Sequence, residues 1–256
     1  MYQSPLHSEL ESDVFASLLA GYQIEVAALD TALHILNTWA RDFYSAIPEL
    51  KQPLGSPSDL DDEKVCTIAS TMLFGETVER MNSASLLLLT GHQSRAIGCC
   101  RDALESLQWC HIVDKLPQQA RNWFRGKKVQ AHRGFKFPPH VSQQLRDECA
   151  DFFNREGTHP YYGAVIYSLL ALTDGQPSKA QPGIINLRKN SLNRVCMVSG
   201  LTIAYVLDQH PDLKESRTDA ELIVDALELV SHKLVGLKPN FRDPLFQGYG
   251  DSQGVE

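Results

Sequence analysis

The chain has 256 residues, of which 43% are hydrophobic and 21% are charged, the proportions of an ordinary folded protein. They exclude a largely disordered chain, a collagen-like chain and a small disulfide-rich domain. The formal net charge is -7 and the isoelectric point is about 5.7. A general electrostatic attraction to nucleic acid or to an anionic membrane is therefore not expected from the molecule as a whole.

The cysteines and the N-terminus predict a compartment. The cysteines stand at positions 66, 99, 100, 110, 149 and 196 and form no C-x-x-C pair, so no structural zinc site is predicted. The sequence also contains no Walker loop and no G-x-G-x-x-G motif, and no cofactor is predicted. The N-terminus lacks a basic region followed by an apolar stretch, the pattern of a secretory signal. The longest near-apolar run, residues 164–172, is too short to span a bilayer. We therefore expect a cytoplasmic protein without a membrane span.

The first predicted helix has an apolar heptad pattern. Ser8 and Glu11 form a capping box at its start, and Pro48 ends it. Between them, apolar residues recur at alternating spacings of four and three: Phe15, Leu19, Tyr22, Val26, Leu29, Leu33, Leu36, Ala40 and Phe43. This spacing predicts near-parallel packing against a neighbouring helix.

The rest of the chain also has helical patterns, separated by Pro- and Gly-rich breaks. Further helices are predicted over residues 59–89, 93–114, 117–125, 141–155, 160–172, 187–208 and 220–235. Thr218 and Glu221 supply a capping box for the last of them. The predicted fold is all-α: a bundle of long antiparallel helices in one domain, residues 1–240, followed by a flexible tail, residues 241–256.

Arg101 and Glu105 form the first candidate site. They are four residues apart on the third helix and border the apolar stripe from Ile97 to Leu107, so we expect a direct, mostly buried ion pair. Replacing Arg101 would then cost on the order of 3 kcal/mol. Two interpretations remain open: a salt bridge that fixes helix register, and a polar centre that binds a phosphate or a metal.

The second candidate site is the turn Arg155–Pro160. His159 precedes Pro160 at the start of a predicted helix, where free backbone N–H groups bind anions. The histidine could cap the helix or act as a base. Glu156 and His159 have the E-x-x-H spacing of bundle metal sites, but such sites need two such motifs inside helices and Gly157 interrupts this one. No metal site is therefore predicted.

The third candidate site is the stretch from residue 121 to residue 137, which contains no acidic residue. Its basic residues are Arg121, Arg125, Lys127, Lys128, Arg133 and Lys136. Aromatic residues, among them Trp123 and Phe135, lie between them. Positive charge combined with stacking rings is typical of single-stranded nucleic-acid binding, so single-stranded RNA is a candidate partner. The other interpretation is a basic loop that its aromatic residues anchor to the bundle.

Some of these residues resemble a known family. The segment Arg95–Glu105, followed by Trp109 and Lys115–Pro117, resembles a family of uncharacterised bacterial all-helical proteins with an R-x-x-x-E helix. The later polar turn of that family, which ends in His-Pro, is matched by Glu156–Pro160. The resemblance covers roughly residues 60–210. The family is similar to the HEPN helical superfamily, which includes RNase toxins, abortive-infection proteins and catalytically inactive binding modules.

The resemblance implies a function. In active HEPN proteins an Arg and a His are separated by four to six residues, whereas Arg155 and His159 are separated by three. We therefore expect a degenerate HEPN-like protein, a dimeric interaction or regulatory component in phage defence or a mobile element. The alternative is a metal-independent RNase toxin. In it His159 is the general base on a ribose 2′-hydroxyl, and Arg155 or Arg101 stabilises the phosphate charge.

The first helix also predicts assembly. One neighbouring helix covers its heptad face, whereas a second face with Leu18, Ile24 and Ile35 remains partly apolar. If exposed, that face would form a patch on the order of several hundred Å2, more than monomers usually show. The sequence therefore predicts a two-fold homodimer in which long helices pack across the axis.

Overall fold

The computed structural model describes residues 21–51, 60–90, 92–127, 181–236 and 239–242. Within these ranges, all of the regular secondary structure is helical. The elements are α1 (Gln23–Ala46), a short 3-10 helix (Pro48–Lys51), α2 (Asp62–Leu89), α3 (Gln93–Lys115), α4 (Pro117–Phe124), α5 (Gln181–Gln209) and α6 (Lys214–Val235). The predicted all-α class is confirmed.

The apolar heptad pattern of α1 faces the core wherever the structure describes it. Leu29 and Leu33 are each 1% exposed, and Leu36 is fully buried. Phe43, near the end of the helix, is partly buried against the same core. Burial of one continuous stripe fixes the rotation of α1 about its own axis, because many of its exposed positions, among them Thr31, His34 and Arg41, are polar.

Side-chain contacts set the direction of α2. Asn37 of α1 and Asn82 of α2 exchange two amide hydrogen bonds of 2.9 and 3.0 Å. The rings of Phe43 and Phe74 lie 5.5 Å apart between centroids. Since the later residue of α1 contacts the earlier residue of α2, the two helices run antiparallel, as the sequence predicts.

The same argument orients α5 and α6. The ring of Phe43 lies against that of His210, which follows α5 directly, so α1 and α5 end at the same end of the bundle. Glu25, near the start of α1, forms an ion pair with Lys233, near the end of α6. Helix α6 is therefore antiparallel to both α1 and α5.

The start of α2 has the charges that favour a helix N-terminus. The carboxylate of Asp61 accepts a hydrogen bond of 2.8 Å from the backbone N–H of Lys64, and Asp62 and Glu63 stand in the first turn. Negative charge there is favourable because the helix dipole is positive at its start. The helix begins slightly later than the predicted start at Asp59.

Helices α5 and α6 both begin earlier than predicted. Helix α5 starts at Gln181 and includes Pro182 in its first turn, where a missing N–H removes no intrahelical bond. Helix α6 starts at Lys214, so Thr218 lies inside the helix and is not its cap. Arg217 and Glu221 form an ion pair of 2.9 Å along this helix, which favours the longer form.

The folded part of the chain extends past the predicted end of the domain. Phe241, which the sequence assigns to a tail, is 1% exposed. Its backbone N–H donates a hydrogen bond of 2.8 Å to the carboxylate of Glu228. Arg242 forms an ion pair of 2.7 Å with Asp225. The chain therefore turns back over α6 and is fixed there at least to residue 242.

Other predictions lie outside the described residues. They are the capping box at residues 8–11, the helices at 141–155 and 160–172, and the tail beyond residue 242. The prediction of one unbroken helix from Ser8 to Pro48 is wrong, because Gly21 and Tyr22 are not helical and α1 begins at Gln23. Among the helices that the structure does describe, none is long and apolar enough to cross a membrane.

Candidate functional site

Much of the sequence-predicted chemistry lies outside the described residues. This applies to Arg155 and His159, the catalytic pair of the RNase alternative, and to Lys128, Arg133 and Lys136 of the basic segment. Their roles stay predictions. Arg101, Glu105, Arg121, Arg125 and Lys127 are described.

Arg101 and Glu105 do not form the predicted buried pair. Both residues are only half-buried, and the ion pairs and hydrogen bonds of the described residues include none between these two side chains. On α3 it is Ile97, Cys100 and Leu107 that are directed into the core. Four-residue spacing places two residues on one helical face, but this face lies at the edge of the core and not within it.

Arg121 has a structural partner. Its guanidinium donates a hydrogen bond of 2.9 Å to the Leu60 carbonyl and forms an ion pair of 2.9 Å with Asp62. The side chain is only 18% exposed. Arg121 therefore holds α4 against the start of α2, whereas Arg125 and Lys127 are exposed. The described part of the basic segment thus contains one structural residue and two residues that are accessible to a partner.

The aromatic residues of α4 anchor it. The rings of Trp123 and Phe124 are 5.0 Å apart in an edge-to-face arrangement, and both pack partly against the core. For these two residues, the structure agrees with the interpretation of a basic segment anchored by its aromatic side chains. Neither ring is fully exposed as a platform for a base.

A pocket of about 280 Å3 lies at one end of the bundle, where α1, α3 and α5 end and α2 begins. Its deepest lining residues are apolar or neutral: Phe74 is 3% exposed, Cys110 is 4% exposed and Tyr205 is 9% exposed. This arrangement follows from the direction of the helices, because three C-terminal ends meet at one place.

Two rings and two charged side chains line the part of the pocket nearer to solvent. Phe43 and His210 are neighbours, with 4.7 Å between ring centroids and an interplanar angle of 34°. Asp114 and Lys115 form an ion pair of 2.8 Å, with side chains that are 35% and 48% exposed. The pocket thus combines an aromatic interior with one negative and one positive charge near solvent.

Burial keeps the two deepest ionisable groups neutral. Desolvation raises the pKa of the Cys110 thiol to about 12, and the hydrogen bond with Tyr205 opposes this only in part. The thiol donates to the Ser70 carbonyl at 3.3 Å and lies 3.8 Å from the Tyr205 hydroxyl. Desolvation also raises the pKa of Tyr205. Because the thiolate is the nucleophilic form of cysteine, Cys110 is not an activated nucleophile at neutral pH.

His210 is also held in its neutral form. Partial burial lowers its pKa, Asp212 and Asp114 oppose the shift, and Lys115 adds to it. A neutral imidazole can stack on Phe43 without carrying a charge into the pocket. No group of three or more His, Cys, Asp or Glu residues within the described ranges is arranged to hold a metal ion.

Sequence reasoning missed this pocket. Its ionisable lining residues are Cys110, Asp114, Lys115, Tyr205 and His210. The signals available were the helix-ending pairs Leu116-Pro117 and His210-Pro211, which mark two helix ends but not that these ends meet. The contact between Cys110 and Tyr205 joins residues 95 positions apart, and no local pattern predicts such a pairing.

Helix α6 carries an exposed apolar face. Leu222 is 62% exposed and Leu229 is 70% exposed, and their seven-residue spacing places them on the same side of the helix. The face of α1 that the sequence predicts for assembly is only partly exposed and apolar. Ile24 is 73% exposed, but Ile35 packs partly against the core and Leu18 lies outside the described residues.

Comparisons of the chain with protein families, with curated proteins and with solved structures found no match.

Proposed function

We propose that this protein is a degenerate HEPN-like helical protein that acts in the cytoplasm as a homodimeric interaction or regulatory component, in phage defence or a mobile element, and not as an enzyme. The observation that carries the homodimeric part of the proposal is the pair of exposed leucines, Leu222 and Leu229, on one face of α6; the HEPN-like part rests on the sequence resemblance. Two large apolar side chains one heptad apart are typical of a helix that packs against another helix.

A second copy of the chain fits this face. If two α6 helices pack antiparallel about an axis near Ala226, Leu222 of one copy lies opposite Leu229 of the other. Ala226 is small and half-buried, which allows the helices to approach closely at the axis. A two-fold contact of this kind places the same surface on both subunits.

The same arrangement places no like charges of α6 directly opposite each other. Asp219 and His232 are both exposed. In the antiparallel pair, Asp219 of one copy would lie opposite His232 of the other copy. Asp225, which lies near the axis, is already neutralised by Arg242 of its own chain. Like charges directly opposite would oppose the dimer, and this pairing avoids them.

Two buried groups of the pocket, the Cys110 thiol and the Tyr205 phenol, support a role other than nucleophilic catalysis. Both are buried as neutral groups, and Asp114 and Lys115 neutralise each other at the mouth of the pocket. The buried thiol and phenol therefore lack the activation that a nucleophile needs.

Light scattering coupled to size exclusion tests the dimer. The parent is expected at twice the chain mass of 28.6 kDa, and the variant Leu222→Lys/Leu229→Lys at the mass of one chain. The matched control is Met72→Lys/Leu86→Lys, which charges two apolar residues of α2 that are 37% and 39% exposed. The control should remain dimeric. A monomeric parent, or a dimer that the α6 variant leaves intact, contradicts the proposed interface.

RNA binding is the second candidate function, and the exposure of Arg125 and Lys127 beside α4 favours it. We expect the variant Arg125→Glu/Lys127→Glu to weaken binding to single-stranded RNA and to reduce its salt dependence. Metal-independent cleavage of that RNA, lost on His159→Ala, would instead identify the RNase toxin. Absence of salt-sensitive binding by the parent at low ionic strength would exclude this function for the segment.

A further inference from the structure

The interior of the pocket at the end of the bundle is suited to an aromatic ring. Phe43, Phe74 and Tyr205 supply ring surface, and His210 adds a fourth ring that its lowered pKa keeps neutral. Aromatic pairs gain energy from offset or edge-to-face contact beyond the burial of their area. A flat apolar group can therefore be bound there by several ring contacts at once.

The mouth of the pocket is suited to two opposite charges on one ligand. Asp114 and Lys115 are consecutive, their ion pair is partly exposed, and both line the pocket. Exposed ion pairs contribute little to stability, so a ligand can replace this pair at small cost. An ammonium group would bind to Asp114 and a carboxylate to Lys115. A ligand with only one charge would bind to one of these two residues and leave the other, Asp114 or Lys115, without an ion-pair partner.

The size of the pocket limits the ligand. A volume of about 280 Å3 corresponds to roughly nine water molecules at about 30 Å3 each. It is at or just below the lower end of the usual range for small-molecule sites. One ring with a short charged tail fits this volume.

We infer that this pocket binds a small aromatic zwitterion, with the chemistry of a free aromatic amino acid. The ring packs against the pocket lining at Phe74 and Tyr205, and the ammonium and carboxylate groups stay near solvent at Asp114 and Lys115. No residue of α6 lines the pocket. The inference therefore goes beyond the proposed function, and the two stand or fall independently.

Isothermal titration calorimetry on the full chain tests the inference with four probes: L-phenylalanine, 2-phenylethylamine, 3-phenylpropionate and L-alanine. Removing either charge of phenylalanine should weaken binding by about tenfold, because one charge-assisted hydrogen bond is lost. L-alanine, which lacks the ring, should show no measurable binding. If phenylethylamine or phenylpropionate binds as tightly as phenylalanine, or if phenylalanine shows no binding at millimolar concentration, the inference is wrong.

Two variants assign the charges separately. Asp114→Asn should weaken binding of phenylalanine and phenylethylamine about tenfold and leave phenylpropionate unchanged. Lys115→Met should weaken binding of phenylalanine and phenylpropionate and leave phenylethylamine unchanged. The matched control is Asp102→Asn, which removes an exposed carboxylate from the same helix outside the pocket. Equal effects of Asp102→Asn and Asp114→Asn would overturn the assignment, and if a pocket variant fails to fold, the four probes on the parent still decide.

Discussion

Glu25 and Lys233 join the start of the first helix to the end of the last one through an ion pair of unequal exposure. The carboxylate side chain is 1% exposed, whereas the lysine side chain is 62% exposed. A carboxylate that is removed from water needs a compensating partner. The lysine supplies that partner from the surface. The pair therefore allows α1 and α6 to pack closely over a buried acid.

Replacing Lys233 by Met should lower the free energy of unfolding by about 2–3 kcal/mol, because it leaves the Glu25 carboxylate buried without its partner. The double variant Glu25→Gln/Lys233→Met should be more stable than Lys233→Met alone. The control is Lys64→Met, whose partner Glu49 is 35% exposed and whose loss should cost less than about 1 kcal/mol. Urea denaturation measures all three variants. Equal losses for Lys233→Met and Lys64→Met would show that the burial of Glu25 does not matter.

Arg121 and Arg125 lie one helical turn apart and should behave differently. Arg121→Met removes the ion pair with Asp62 and the hydrogen bond to the Leu60 carbonyl, so a loss of about 1–2 kcal/mol in unfolding free energy is expected. Arg125 is exposed, and Arg125→Met should stay within about 0.5 kcal/mol of the parent. Thermal or urea melts compare the two variants. Similar destabilisation by both would mean that Arg121 is not a specific link between α4 and α2.

The helical class and several helix ends could be predicted because their causes are local. The apolar heptad pattern of α1, the acidic first turn of α2 and Pro117 at the start of α4 each act over a few residues. Predictions failed where a local signal competed with tertiary structure. Thr218 has the pattern of a helix cap, but the residues before it are already helical, because α6 begins at Lys214.

The pocket could not be predicted, because its residues come together only through the directions in which the helices run. Asp114 and Lys115 at the end of α3 carry no motif. His210 looks like an ordinary helix end. Conversely, Arg101 and Glu105 have a suggestive spacing, but the rotation of α3 leaves both at the edge of the core. Spacing indicates which residues share a helical face, and only packing decides which face is buried.

His210 should make the stability of the protein depend on pH. Its pKa in the folded protein lies below the ordinary histidine value of about 6.5 because burial disfavours the charged ring. The unfolded chain therefore binds more protons as pH falls below 6.5, and the contribution of His210 to stability, complete above that pH, is lost on acidification. Three charged groups act on the ring: Asp212 and Asp114 favour its charged form, whereas Lys115 disfavours it. Phe43 carries no charge and stacks on the ring.

Urea denaturation between pH 7.5 and pH 5.5 measures this dependence. The variant His210→Gln removes the titrating ring, so it should lose less stability than the parent over this interval. The control His34→Gln, at an exposed position of α1, should follow the parent. If His210→Gln and the parent have the same pH dependence, the histidine titrates alike in both states and its burial has no energetic effect.

Gly200 of α5 allows the chain after α6 to pack on the bundle. A Cβ atom at this position would lie 2.6 Å from two carbons of the Phe241 ring. The ring is 1% exposed, so it has little room to move aside. Gly75, also within a helix, has no neighbouring atom within 4 Å of such a Cβ. The two glycines therefore form a matched pair in which only one has a steric role.

Gly200→Ala should lower the free energy of unfolding by about 1–3 kcal/mol, because overpacking outweighs the better helix propensity of alanine. Gly75→Ala should raise it by about 0.5–1 kcal/mol through propensity alone. On the background Phe241→Ala, the ring is absent and Gly200→Ala should be neutral or stabilising, which gives a coupling that a double-mutant cycle measures. Urea denaturation of the parent, Gly200→Ala, Phe241→Ala and the double variant supplies the four free energies of the cycle. If Gly200→Ala is as stabilising as Gly75→Ala in the parent, Phe241 does not pack against α5, and the folded part of the chain ends before residue 241.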